Sequence, residues 1–138
     1  MGQILALDYG KARCGLAATD DLQMIASGLE TVATQGLMDF FKKYYSQNTI
    51  DILVVGQPVD LKGNMSEVEN DILEFINKFS MEFPEIKIER MDERFTSKMA
   101  SFFISQSGKN KKARQDKGLI DKMSATIILQ NFLEVRTR

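Results

Sequence analysis

The sequence contains no histidine and a single cysteine, Cys14. Without histidine, Ser-His-Asp and Cys-His catalysis, histidine general bases and histidine-ligated zinc are all excluded. One cysteine forbids an internal disulfide framework. Long apolar runs are also lacking. The longest aliphatic stretches resemble Ile4–Leu7, whereas a membrane span needs about twenty residues. The N-terminus has no basic leader, and Asp8 interrupts the first apolar run, which argues against a signal peptide. A reducing cytoplasm is the expected compartment. There is no internal repeat and no domain linker, so the 138 residues are expected to form one domain, 1–138. Hydrophobic residues at 43% and charged residues at 27% are those of a soluble globular chain. Any chemistry must use carboxylates, lysine, arginine, tyrosine or hydroxyls.

The net charge is only −1, but it is unevenly spread: residues 1–60 carry −3, residues 61–95 carry −4 and residues 96–138 carry +6. An acidic body beside a basic surface follows. Basic segments attract phosphate backbones, although many are simply solvated.

Hydrophobic patterning predicts strands over Gln3–Asp8, Arg13–Thr19, Leu29–Ala33, Asp51–Val55 and Glu85–Met91. Tyr9–Ala12 reads as a tight connection in which Gly10 can adopt positive φ, and Asp20–Asp21 as a polar turn. Leu37, Phe40, Phe41 and Tyr44 recur at helical spacing. Gly56 and Pro58 are expected to end the fourth strand, with a turn over 59–64. A second helix is expected from about Ser66, with Ser66 as N-cap and Glu69 completing a capping box. A further helix is expected from Thr96 or Ser97 to about Ser105, then a basic mobile loop over 105–118 and a last helix from about Leu119 to Val135. The first three strands would be antiparallel. The first, fourth and fifth would be parallel with right-handed crossovers. This is an α/β architecture: a five-stranded mixed sheet with helices on both faces.

Asp8 ends the first buried strand, where open α/β sheets gather ligands. Local sequence alone leaves a turn-forming aspartate as an alternative. Asp92–Glu93–Arg94 ends another strand, and a solvated acidic turn is the alternative there. Asp121 falls in the expected first turn of the last helix, where acids suit the dipole. The helix around it is apolar, however, and Ser124, Ala125 and Ile128 share its face. Carboxylates at 8, 93 and 121 can meet only through the fold. If they meet, their repulsion calls for a hard divalent cation. Oxygen ligands suit Mg²⁺ or Mn²⁺, and such ions support phosphodiester cleavage without histidine. The lysines and arginine of 109–117, namely Lys109, Lys111, Lys112, Arg114 and Lys117, would hold the substrate backbone.

Four blocks are recognisable together. ALDYGKARCGLAATD (6–20) resembles the opening D-x-G-x-x-R-x-G motif of the YqgF (RuvX) family. VVGQPVDLKGN (54–64) resembles its G-x-P segment, DERFTS (92–97) its D-E-R-[LF]-[ST]-[ST] motif, and KGLIDKMSATIILQNFLE (117–134) its final helix. The resemblance implies an RNase H-like fold and a metal-dependent nuclease related to Holliday-junction resolvases, with Asp8, Glu93 and Asp121 as the acidic residues. It further implies action at the 5′ end of precursor 16S rRNA. Arg13 and Arg94 match motif arginines that contact phosphate or brace the site. The hydroxyls of Thr96 and Ser97 are expected to cap a helix, with an approach to substrate as the alternative. Three positions depart from the pattern: Asp60 where asparagine is common, Gln57 where leucine or arginine is, and Ser124 where the first alanine of a pair is. None removes an implied ligand; the segment 57–60 bears on substrate choice.

The leading expectation is therefore an Mg²⁺- or Mn²⁺-dependent endonuclease acting on structured RNA as a monomer or weak homodimer, with no membrane partner. A resolvase of branched DNA uses the same chemistry but needs a stable dimer. A phosphoryl-transfer enzyme of the actin or sugar-kinase kind would need two such domains. A non-catalytic RNA-binding assembly module is the reading of another class.

Overall fold

The computed structural model describes residues 2–58, 67–92 and 117–136, with backbone only for 117–121. Strands β1 (Gln3–Asp8), β2 (Arg13–Thr19), β3 (Ala26–Ala33), β4 (Ile50–Gln57) and β5 (Lys87–Asp92) form one sheet in the order β3-β2-β1-β4-β5. β1–β2 and β2–β3 are antiparallel, and β1–β4 and β4–β5 are parallel, as expected. Helices α1 (Leu37–Gln47) and α2 (Glu69–Glu82) follow β3 and β4, and α3 (Lys117–Arg136) is the last element. None of the described helices is long and apolar enough to cross a membrane.

Alternation along the strands builds two cores. Leu5, Leu7, Cys14, Leu16, Leu53 and Val55 pack against α1 and α2. Phe75, Phe79 and Phe83, four residues apart, stack into a ladder, and Phe41 of α1 meets Phe79 edge-on at 5.0 Å. Each fully buried aromatic of this kind contributes roughly 1.5–3 kcal/mol. On the other face, Ile4, Ala6, Ala17 and Val54 meet Ala125, Ile128 and Leu129 of α3. The small residues at 124 and 125 are buried, as the helical spacing required.

Several boundaries differ from expectation. β3 starts at Ala26 instead of Leu29, because the hairpin with β2 recruits polar Ser27 and Gly28 by backbone pairing alone. β4 continues through Gly56 and Gln57, which pair with Met91 and Asp92, so Gly56 does not stop it. β5 begins at Lys87 after a turn that includes Glu85. α2 starts at Glu69 with Val68 as N-cap and no side-chain cap. The helix therefore starts later than expected and the Glu69 carboxylate is held by Arg90 of β5, while Ser66, the expected N-cap, lies outside the described residues. Gly10 has no positive φ. It is required instead because a Cβ there would collide with the Arg13 carbonyl. The last helix already includes Lys117 and Gly118, so the end of the expected 105–118 loop is helical and Asp121 stands beyond the first turn. A dipole role for Asp121 loses its basis. The turn over 59–64, the helix over 96–105 and residues 105–116 lie outside the described residues.

β3 carries an extra residue, Leu29, between the pairs Leu16↔Glu30 and Ala17↔Gly28. A second irregularity inserts Asp51 into β4 opposite the Gln3–Ile4 link. That insertion lets the Asp51 carboxylate accept the Gly2 N–H at 2.9 Å.

Among the described residues, one buried polar side-chain group has no partner: the Ser124 hydroxyl, on a residue 1% exposed. Leaving a hydroxyl unbonded in an apolar setting costs about 1–3 kcal/mol. Ser124→Ala is accordingly expected to raise stability by about 1 kcal/mol in urea unfolding; a loss of that size would mean the hydroxyl is bonded after all.

Candidate active site

The C-terminal ends of β1, β4 and β5 lie side by side. Asp8 is the last residue of β1 and is half-buried. Alternation from Ile4 and Ala6 puts it on the face that α3 covers. Its ladder partner on β2 is Gly15, which presents no side chain beside the carboxylate. Arg13, Gly15 and Ala17 share that face, since Cys14, Leu16 and Ala18 point to α1 and α2. Arg13 is half-buried and two residues from Gly15, a diagonal separation of about 7–8 Å from Asp8 across an antiparallel pair. A guanidinium on its long stem spans that distance.

The direction of α3 follows from its two ends. Near its start, the Lys122 stem lies against Gly28, where a Cβ would sit 2.9 Å from Lys122 Cγ. Gly28 pairs with Ala17, which pairs with Ala6. At its end, Arg136 donates to Gln23 Oε1 at 2.8 Å, and Gln23 in turn reaches the Gly2 carbonyl. α3 therefore runs opposite to β1, with its N-terminal part at the Asp8 end. Asp121, one residue before Lys122, has its backbone in that part.

Of the expected acidic residues, Asp8 has a described side chain, Asp121 a described backbone, and Glu93 directly follows Asp92, the last described residue of β5. Among the described residues, no group of three metal-ligating side chains is assembled. Arg94, Lys109, Lys111, Lys112 and Arg114 lie outside the described residues, and Lys117 contributes backbone to α3.

One ion pair beside this edge was not foreseen. Arg90 of β5 grips Glu69 of α2 with two parallel bonds, Nη1 to Oε2 at 3.0 Å and Nη2 to Oε1 at 2.7 Å. The same guanidinium donates to the carbonyls of Val55 at 3.2 Å and Gly56 at 3.1 Å. It thus joins the ends of β4, β5 and the start of α2. The sequence held a signal: Arg90 shares parity with Ile86 and Ile88, the inward-facing side of β5.

A second cleft, about 270 Å³, opens on the α1 and α2 side of the sheet. Tyr9 lines it with Asp71, Glu74 and Lys78. Burial is the main cause that raises the Tyr9 hydroxyl pKa, helped by Cys14, Asp71 and Glu74.

Comparison with known proteins bears on the family. A family model described as RuvX, Holliday junction resolvase, matches residues 2–135. A protein of Flavobacterium johnsoniae, provisionally named pre-16S rRNA nuclease, is 48% identical over 133 residues, covering 96% of each chain. Relatives with the same provisional name occur in Christiangramia forsetii, 49% identical over 96% of this chain and 98% of its own, and in Phocaeicola vulgatus, 46% identical over 97% and 96%.

Proposed function

The chain belongs to the RuvX family of Holliday junction resolvases, and on that premise we propose that it is a divalent-metal-dependent endonuclease of precursor 16S rRNA. The mixed sheet is the RNase H-like fold of that family. The observation that carries the reading is the placement of Asp8 and Arg13 on one face of the sheet, at the end of β1, beneath the N-terminal part of α3. An anionic group beside a cationic one, at the open end of a parallel set of strands, suits a cation and a phosphate together.

The donor chemistry fits a hard divalent ion: a half-exposed carboxylate faces a glycine, with no nitrogen or sulfur donor on its ladder partner. Asp8, Glu93 and Asp121 would hold Mg²⁺ or Mn²⁺. The ion, when bound, supplies positive charge that favours hydroxide over water and offsets the charge on the phosphate. Arg13 holds a phosphate oxygen by charge-assisted bonds. Asp8 holds negative charge against the open end of the sheet. Arg94, Lys109, Lys111, Lys112, Arg114 and Lys117 extend the grip along the backbone. The whole chain acts as one nuclease domain, in the cytoplasm, where precursor rRNA is trimmed.

RNA is preferred because the relatives are named for precursor 16S rRNA. The family description favours a second reading, cleavage of branched DNA, which needs paired sites on a dimer. A side-by-side assay decides. Precursor 16S rRNA should be cut with Mg²⁺ or Mn²⁺ and spared in chelator, while a four-way DNA junction stays intact. Junction cleavage with rRNA untouched would reverse the assignment, and cleavage of neither would end the nuclease reading.

A further inference from the structure

At the end of the sheet opposite Asp8, the β2–β3 hairpin tip places three large apolar side chains in solvent within four positions. Leu22 is 66% exposed, Met24 70% and Ile25 66%, and Val135 of α3 stands 56% exposed. Single exposed apolar residues need no explanation, but a cluster does. This cluster is also held rigidly. Asp20 Oδ1 accepts the N–H groups of Met24 at 2.9 Å and Ile25 at 3.0 Å. Gln23 adopts φ 58°, a conformation costing a non-glycine residue roughly 1 kcal/mol. Its side chain fixes that conformation by donating to the Gly2 carbonyl at 2.6 Å and Asp51 Oδ2 at 2.9 Å, and by accepting from Arg136. Strain that neighbours over-determine marks a surface shaped for contact.

We propose that this tip is a docking surface for a basic protein carried by the substrate RNA, one that offers an apolar pocket rimmed by lysines or arginines. The proposal rests on the RNA-nuclease reading in its choice of where that protein sits. Charge selects the occupant. Asp20 and Asp21 directly precede the apolar side chains and outnumber Arg136, whose guanidinium is engaged by Gln23, so phosphate backbones and anionic lipid are disfavoured while a cationic rim is attracted. Four exposed side chains fall well short of the roughly 800 Å² per partner that a stable interface between copies needs. A protein anchored on the same RNA needs less, because tethering raises its effective concentration. The tip stands about 20 Å from Asp8, the length of a six-residue strand. A docked protein therefore leaves the Asp8 face open to RNA.

The test uses Leu22→Ser/Met24→Ser/Ile25→Ser and, separately, Asp21→Lys, in the full chain. Co-sedimentation with precursor small-subunit particles and with the same RNA stripped of protein reads binding whether or not the RNA is cut. Both variants should bind particles about tenfold more weakly than wild type, while the triple variant binds stripped RNA equally well and Asp21→Lys binds it no more weakly. Equal binding of wild type and variants to particles, or an equal loss on both substrates, overturns the proposal. So does wild-type binding to anionic vesicles in place of particles, or a wild-type dimer that the triple variant dissolves. Failure of rRNA cleavage with tip-dependent particle binding intact would instead remove the nuclease reading alone.

Discussion

Asp8→Asn is expected to reduce cleavage about a thousandfold while leaving the fold intact. The substitution keeps volume and hydrogen-bonding capacity and removes one charge. Asp8 is half-buried at the end of β1, next to a glycine, so no packing is lost. The thermal midpoint should stay within about 2 °C of wild type, as for substitutions that disturb no core contact. Cleavage of precursor rRNA and a melting curve on one preparation supply both readings. A variant that still cuts at the wild-type rate would move the chemistry away from β1.

The second large effect is on stability. Glu69→Ala strips the partner from a guanidinium that is mostly buried, with side-chain exposures of 23% for Arg90 and 11% for Glu69. Leaving such a charge unpaired costs about 3 kcal/mol. In a chain of this size that lowers the melting midpoint by about 10 °C. Arg90→Ala should cost a similar amount, since the Val55 and Gly56 carbonyls lose donors as well. The two changes together should cost less than their sum, because the second removes the charge the first leaves behind. Urea titrations of the four proteins measure this. A Glu69→Ala cost under about 0.5 kcal/mol would class the pair with exposed surface bridges.

The sheet was legible because its strands are short apolar runs of alternating destination. Leu5 and Leu7 go to one core, and Ile4 and Ala6 to the other. The antiparallel and parallel halves followed from connection length. Element edges were less legible, since backbone pairing extends β3 over Ser27 and Gly28, which no hydrophobic pattern marks. The Glu69–Arg90 pair escaped because Glu69 sits three residues after a serine and so imitates a capping box. Only the tertiary approach of α2 to β5 distinguishes the two. Asp8 could be singled out in sequence as a charge closing an apolar strand. Its companionship with Arg13 required the register, which sets Gly15 opposite Asp8. The strained Gln23 was invisible, because its conformation is imposed by Gly2, Asp51 and Arg136, remote in sequence.

β3 is the outermost strand on its side of the sheet, the kind of border along which proteins zip into fibrils. The extra residue Leu29 interrupts the regular spacing of its outward amides and coils the border away from flatness. A neighbouring molecule cannot lay a continuous sixth strand there. Copies of this chain can therefore crowd together without polymerising along that border.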